Sequence, residues 1–162
     1  MAAYLQYKPA LDGKGESKAK GHEKWIEVGS VQLGVGRAIS SPTGTSSKRE
    51  ASAPSVSEVT LTKLMDSTSP LLFQEACIGK ACKAQVDLVE TGSDQLNTYL
   101  EITLTNAMIS GYSVSSGGDR PSESISINFT KIEYKYTPFD DQHKAGTPVP
   151  VTYDLTDRKS VV

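Results

Sequence analysis

The segment from Ser122 to Pro138, SESISINFTKIEYKYTP, alternates apolar and polar residues and changes phase once. Its apolar residues stand at odd positions up to Phe129 and at even positions from Ile132 onward. Alternation with period two is typical of a strand with one buried face, and one extra residue near Thr130 would keep the later side chains on that face. The pattern therefore predicts a long strand carrying a β-bulge, which a small barrel or a strongly coiled sandwich needs.

The segment from Glu23 to Val35 shows the same change of phase around Gly29 and Ser30. Its apolar residues are even before the change and odd after it, namely Ile26 and Val28, then Val31, Leu33 and Val35. We expect the last three to face the core, with Ser30, Gln32 and Gly34 facing outward. Two bulged strands in one chain favour a closed or nearly closed barrel.

The rest of the chain carries further strand signals and one helix signal. Short strands are predicted at 4–11, 56–64, 83–90, 98–105, 108–114 and 149–155. A helix is predicted over 69–79, with Ser69 as its cap, Pro70 in its first turn, and Gly79 closing it in the left-handed conformation. We expect Leu72 and Ala76 to form its buried stripe. The predicted fold is a single mainly β domain, a small antiparallel barrel with bulged strands and one short helix.

Composition sets modest limits on function. The chain has 162 residues, 37% of them hydrophobic, and a net charge of −2, which fits one domain with its own core and argues against dominant binding to nucleic acid. The N-terminus lacks the basic and apolar regions of a signal peptide, and no apolar run approaches membrane-spanning length, so we expect the chain to start in the cytoplasm. Cys77 and Cys82 are expected to be free thiols, buried or half-buried.

The segment 37–55 is poor in large apolar residues and rich in serine, so it cannot order itself by burial alone. It is predicted to be a long extended loop. Two interpretations stay open: a mobile surface loop, or an arm that becomes ordered against a neighbouring subunit. In the second case the contact residues would be Ser46, Lys48, Arg49 and Glu50.

No residue pattern indicates catalysis or a cofactor. His22 and His143 lie outside any metal-ligand spacing and are interpreted as solvated loop residues, so no catalytic, metal or cofactor residue is predicted. The lysines between positions 8 and 24 are interleaved with acidic residues and are read as a solvated rim. Trp25, Tyr134 and Tyr136 are expected in the core or an interface. Stacking of these rings on sugars is the alternative, which would make the chain a monomeric carbohydrate-binding sandwich.

Several weak motifs fall in one order along almost the whole chain. They are Asp12-Gly13-Lys14-Gly15-Glu16-Ser17, His22-Glu23, Trp25-Ile26-Glu27-Val28, Val59-Thr60-Leu61-Thr62-Lys63, Ser69-Pro70 and the strand from Glu123 to Tyr134. In this order they resemble the Hcp family, the haemolysin-coregulated tube proteins of bacterial type VI secretion. The segment 37–55 departs from the family by being rich in Ser, Thr and Ala, where the family uses mainly Gly.

The resemblance implies a structural role without enzyme activity or cofactor. It implies six-membered rings that stack into a hollow tube inside a contractile sheath, export with a spike protein, and effector cargo held in the lumen. It implies a protein that is cytoplasmic before firing and then secreted without a signal peptide, with no membrane insertion and no nucleic acid partner. Ser30 and Gln32 are the candidate lumen residues, because polar uncharged side chains can form hydrogen bonds with varied cargo.

Overall fold

The computed structural model describes residues 2–40, 50–92, 95–157 and 159–161. These ranges contain one helix, α1 (Ser69–Ile78). Their strands, in chain order, are β1 Ala2–Lys8, β2 Ile26–Val28, β3 Ser30–Gln32, β4 Val35–Gly36, β5 Ile39–Ser40, β6 Glu50–Ala51, β7 Ser55–Val56, β8 Val59–Leu64, β9 Cys82–Thr91, β10 Leu96–Ser115, β11 Ser122–Asn128, β12 Lys131–Tyr136, β13 Val149–Asp154 and β14 Lys159–Val161.

The strands wrap into an antiparallel barrel. Strand pairing runs from β10 through β9 and β1 to β2, and from β3 through β8 and β11 back to β10. The ladder is interrupted between β2 and β3 at Gly29, whose N–H donates to the Thr62 carbonyl at 2.7 Å. Outside this circuit, β12, β13 and β14 extend the sheet from β10. The predicted mainly β, barrel-like fold with one helix is confirmed.

A single apolar core fills the space that the strands enclose. Its members share nearly complete burial and come from almost every barrel strand, among them Leu5, Ile26, Val59, Leu61, Val86, Leu104, Ile125 and Ile127. Helix α1 contributes Leu72, which is 0% exposed, and packs Ala76 against the same cluster. The predicted buried stripe of the helix is confirmed. Because one isolated ten-residue helix is marginal in water, this packing is what holds α1 in place.

The segment that led the sequence analysis is two strands and not one. Burial does change phase, since Phe129 and Ile132 are both buried, but the chain leaves the ladder at Phe129 and Thr130 between β11 and β12. The register shifts lie in the partner strand β10, at 98/100, 104/107 and 109/111. β10 is also one strand of 20 residues where two were predicted. The extra residues therefore lie in β10, which pairs with β9 on one edge and with β11 and β12 on the other.

The second segment with a change of phase is divided among three strands. β2 pairs with β1, β3 pairs with β8, and β4 pairs with β7, so the change at Gly29 marks a change of partner strand. Val31 and Leu33 are half-buried and pack against the core, as expected. The expectation for Val35 is wrong, because its side chain is 69% exposed. At Val35 the chain has left the barrel for the two-stranded β4–β7 pair.

Helix α1 begins and ends differently from the prediction. Thr68 is the N-cap without a side-chain cap bond, Ser69 is the first helical residue, and Gly79 has φ −64°, so the left-handed closure is wrong. Gly79 is needed for space, since a Cβ there would lie 2.4 Å from the Glu75 carbonyl oxygen. The Thr68 N–H finds its partner in Asp66 Oδ1 at 2.8 Å.

The described part of segment 37–55 forms an extended arm. At its base Val35 and Val56 pair across β4 and β7, and farther out Ile39 pairs with Ala51 across β5 and β6. The predicted contact residues Ser46, Lys48 and Arg49 lie outside the described residues. The backbone of Glu50, the fourth, pairs with Ser40.

Candidate interaction surface

An apolar groove lies where the base of the arm faces the outer sheet. Its volume is about 510 Å³. One wall is formed by Leu33, Gly34, Val35, Pro54 and Val56, and the other by Ile132, Tyr134, Val151 and Tyr153. Two cross-strand pairs build the second wall, because β12 and β13 align Tyr134 with Val151 and Ile132 with Tyr153. None of the described residues that line the groove is charged.

The upper part of this groove is open to solvent. Val35 is 69% exposed, Tyr134 44% and Val151 39%. The apolar surface continues along the same two strands through Tyr136 and Val149, which are also exposed and paired. Contiguous exposed apolar surface of this kind marks a site of interaction with another molecule. Tyr134 and Tyr136 therefore lie outside the core. Of the two locations expected for them, core or interface, only the interface remains.

The outer face of helix α1 is a second exposed apolar surface. Five residues at helical spacing point to solvent, and none of them is charged: Pro70, Phe73, Gln74, Cys77 and Ile78. Phe73 is 59% exposed and Ile78 73%. A solvent-facing helix face normally carries charged and polar residues. Phe73 makes an edge-on contact with Tyr112, whose ring centroid is 6.1 Å away.

The candidate lumen residues lie on a polar face of the barrel. Ser30 and Gln32 are both exposed on β3, and the Ser30 hydroxyl forms a hydrogen bond with the hydroxyl of Thr62. Strand register aligns Gln32 with Thr60, and Thr60 and Thr62 with Ser126 and Ser124 of β11. The structure thus brings the two predicted residues together with other hydroxyl side chains on one polar face. The end of this face carries the Glu58 carboxylate, which accepts hydrogen bonds from Ser110 and Asn128.

A buried charge cluster, missed by the sequence analysis, anchors the start of α1. The side chains of Lys63 and Glu123 are both 0% exposed, with Lys63 Nζ 2.7 Å from Glu123 Oε2 and 3.1 Å from Asp66 Oδ1. The Tyr112 hydroxyl donates to the other oxygen of Glu123. Lys63 and Glu123 occupy core-facing positions in the alternation of β8 and β11. Two opposite charges at such positions are the sequence feature that could have predicted this buried ion pair.

The electrostatics of this cluster are set by burial and hydrogen bonds together. Burial acts to raise the pKa of Glu123, but hydrogen bonds from Lys63, Ser69 and Tyr112 outweigh it, so the pKa is lowered. Burial, together with the hydrogen bond to Glu123, raises the pKa of Tyr112 to about 12. At neutral pH the cluster therefore contains an ionised Glu123 and a neutral Tyr112. The contact of Lys63 with Asp66 holds the segment before α1 against the barrel.

His22 is buried, which corrects the expectation of a solvated loop residue. Its ring stacks on Tyr4 at 5.0 Å and meets Trp25 edge-on at 4.7 Å, while Nε2 lies 2.8 Å from Asp87 Oδ2. Burial raises the pKa of Asp87 against the opposing hydrogen bonds from His22 and Gln85. No periodicity in the sequence indicates this burial, because the loop folds back onto Tyr4 of β1 and Asp87 of β9. His143 is exposed, as predicted.

The other residues singled out from the sequence differ in their exposure to solvent. Both cysteines are free, but only Cys82 is buried; Cys77 is exposed on α1, against expectation. The five lysines at 8, 14, 18, 20 and 24 are all exposed. Within the described ranges, no group of three or more His, Cys, Asp or Glu side chains has the arrangement of a metal site. No helix in that part of the chain is long and apolar enough to cross a membrane.

Known proteins share this fold over its whole length. A solved structure described as a type six secretion system protein superposes with a TM-score of 0.88 and 25% identity, covering 99% of both chains. Hcp1 from Salmonella typhimurium superposes with a TM-score of 0.77 at 21% identity, covering 99% of this chain and 98% of that one. The barrel with one helix is thus a fold found among type VI secretion proteins.

Sequence comparison leads to the family itself. The family model described as type VI secretion system effector, Hcp, matches residues 4–136. Protein hcp1 of Pseudomonas aeruginosa is 30% identical over 148 residues, covering 89% of this chain and 90% of that protein. The chain belongs to the Hcp family of type VI secretion system proteins.

Proposed function

We propose that this chain is the structural subunit of the inner tube of a type VI secretion system. Six copies form a ring, rings stack into a hollow tube within the contractile sheath, and the tube leaves the cell with the spike. The subunit acts by assembly and not by catalysis. It is cytoplasmic before firing and is then exported by the contractile machinery.

The observation that carries the proposal is the pair of uncharged, solvent-exposed surfaces on one small domain. A ring is built from head-to-tail contacts, in which one patch of each subunit meets a different patch of the next. The apolar groove and the outer face of α1 are two such patches. The arm beside the groove adds exposed main-chain edges, at which neighbouring chains commonly pair. Here the second interpretation of segment 37–55, an arm in contact with a neighbour, is preferred.

The polar face that contains Ser30 and Gln32 is assigned to the lumen. Hydroxyl and amide groups adapt their hydrogen bonds to different partners, which suits a channel that carries or stabilises varied effectors. Gln32→Arg would place six cations around the lumen in each ring. We expect it to reduce recovery of effector cargo with the purified protein while leaving ring formation unchanged.

The oligomeric state tests the proposal directly. Light scattering of the purified chain should give a hexamer, and negative-stain electron microscopy should show rings. A secretion assay should find the protein in the medium only when the contractile machinery is intact. A monomer in scattering that is retained on a sugar column would instead favour the carbohydrate-binding alternative, in which Tyr134 and Tyr136 stack on sugar rings.

A further inference from the structure

We propose that helix α1 of one copy docks into the apolar groove of the next copy, so that these two surfaces form the head-to-tail contact. The occupant of the groove is thus a second copy of this chain, through the outer face of its helix. The inference rests on the proposed ring and adds to it which surfaces meet. It predicts direct proximity of Cys77 on one copy to Val151 on the other.

The two surfaces match in chemistry. The groove is lined by apolar residues and two tyrosines without a charge, and the outer face of α1 presents Phe73 and Ile78 without a charge. Burial of a charged helix face in such a groove would leave unpaired charges, which is costly. An uncharged helix avoids that cost. Laying one face of a helix into an apolar groove is also a recurrent mode of protein recognition.

The two surfaces are also complementary in shape. The helix is convex and presents large side chains at helical spacing, whereas the groove is concave between the arm and the outer sheet. Tyr134 and Tyr153 of the groove resemble the aromatic residues that are enriched at the centre of protein interfaces. Phe73 is 59% exposed and touches its own subunit edge-on at Tyr112, so most of its ring is free to enter a groove.

Their positions on the subunit suit a head-to-tail contact. The groove wall of β12 pairs with the first half of β10, where Tyr134 faces Ile102. The helix packs on the second half of β10, where Phe73 meets Tyr112. Register shifts at 104/107 and 109/111 lie between Ile102 and Tyr112, so the two patches lie on different parts of β10. Two separate patches can each face a different neighbour, whereas one shared patch would give only a dimer.

Cysteine cross-linking tests the pairing because the chain carries its own probe. Cys77 is exposed on the outer face of α1, and Cys82 is buried. We would introduce Val151→Cys in the groove, oxidise mildly, and examine the products on a non-reducing gel. A short bis-maleimide is used in parallel, since a disulfide requires the two Cα atoms to lie within about 7 Å. We expect a ladder of linked subunits that extends to six.

Two control variants identify the partners in the cross-link. Cys77→Ser combined with Val151→Cys removes one partner, and the ladder should be lost. Lys20→Cys, in place of Val151→Cys, puts the new thiol on the exposed loop between β1 and β2, where no ladder should form. A ladder that survives Cys77→Ser, or that is equally strong with Lys20→Cys, would overturn the pairing.

The same samples separate the two proposals. Light scattering and electron microscopy of the reduced variants report whether rings form at all. Rings without a link between Cys77 and the groove, by disulfide or by bis-maleimide, would overturn the docking of α1 while the ring remains. A chain that stays monomeric and unlinked would overturn both.

Discussion

Removal of the buried lysine ammonium should be among the most damaging single changes in this chain. Lys63 is completely buried, and its Nζ donates to Glu123 Oε2 at 2.7 Å, to Asp66 Oδ1 at 3.1 Å and to the Leu64 carbonyl at 2.9 Å. Lys63→Met keeps the length and apolar stem of the side chain. It leaves two carboxylates near each other, with no cation between them.

The expected loss in the free energy of unfolding is about 3–5 kcal/mol, the range for breaking a buried ion pair from one side. Most of this loss comes from the uncompensated Glu123, since a buried ion pair replaced as a whole by apolar residues is often neutral. The double variant Lys63→Met with Glu123→Leu should therefore be more stable than Lys63→Met alone. The coupling between the two positions should be about 2–3 kcal/mol.

Urea unfolding followed by circular dichroism and Trp25 fluorescence measures these differences at one protomer concentration, since subunit association alters apparent stability.

The stability that Glu123 contributes should decrease at low pH. Because the pKa of Glu123 is lowered in the folded chain, its stabilising contribution is present above the ordinary Glu pKa of about 4.3. It is lost as the pH falls through the lower, folded-state value.

The partly exposed ion pair of Glu101 and Lys135 provides a matched control. Glu101 is also paired with a lysine, Lys135, at 3.1 Å, but both side chains are about a third exposed, at 27% and 30%. Lys135→Met should cost no more than about 1 kcal/mol, as exposed pairs do. Equal losses for Lys63→Met and Lys135→Met, or additive effects in the double variant, would refute the reasoning.

Three further changes have definite expected outcomes. Gly15→Ala should lower the melting temperature sharply, because its Cβ would lie 2.0 Å from the Trp25 carbonyl oxygen, while Gly36→Ala, with nothing within 4 Å, should not. Leu72→Ala should cost about 2–5 kcal/mol in urea unfolding, as for other fully buried leucines; a smaller loss would mean that α1 contributes little to the core. The raised pKa of Asp87 means that its ionised form destabilises the fold. The natural chain should therefore lose stability relative to Asp87→Asn as the pH rises above about 3.9, the ordinary pKa of Asp. Urea midpoints that change equally between pH 4 and pH 7 in the two proteins would contradict this.

Much of the fold follows from local patterns in the sequence. Alternation identifies β8, β9 and β11, and Pro70 with the apolar spacing after it identifies α1, because side-chain direction in a strand or helix repeats with a fixed period. The two changes of phase indicate breaks in regular pairing. Family motifs spread over the chain are also carried by the sequence alone. These features depend on neighbours within a few residues.

The errors arise where a strand changes its partner. A change of phase at Gly29 reads the same whether the strand bulges or passes from β1 to β8, and only the pairing in space distinguishes the two. For the same reason Val35, which continues the core-facing pattern, lies outside the core. His22 is in a loop without periodicity, and its burial depends on Tyr4 and Asp87 from two other strands.

By itself, the sequence determined which residues can share a face, where the single helix lies, and to which family the chain belongs. The tertiary structure alone decided which of those faces the domain covers. Tyr134 and Val151 follow the same alternation as Ile132, yet they remain exposed because β12 and β13 extend beyond the closed part of the sheet. Burial depends on the distant segments that pack against a face, and a surface that no segment of the same chain covers is available to another copy.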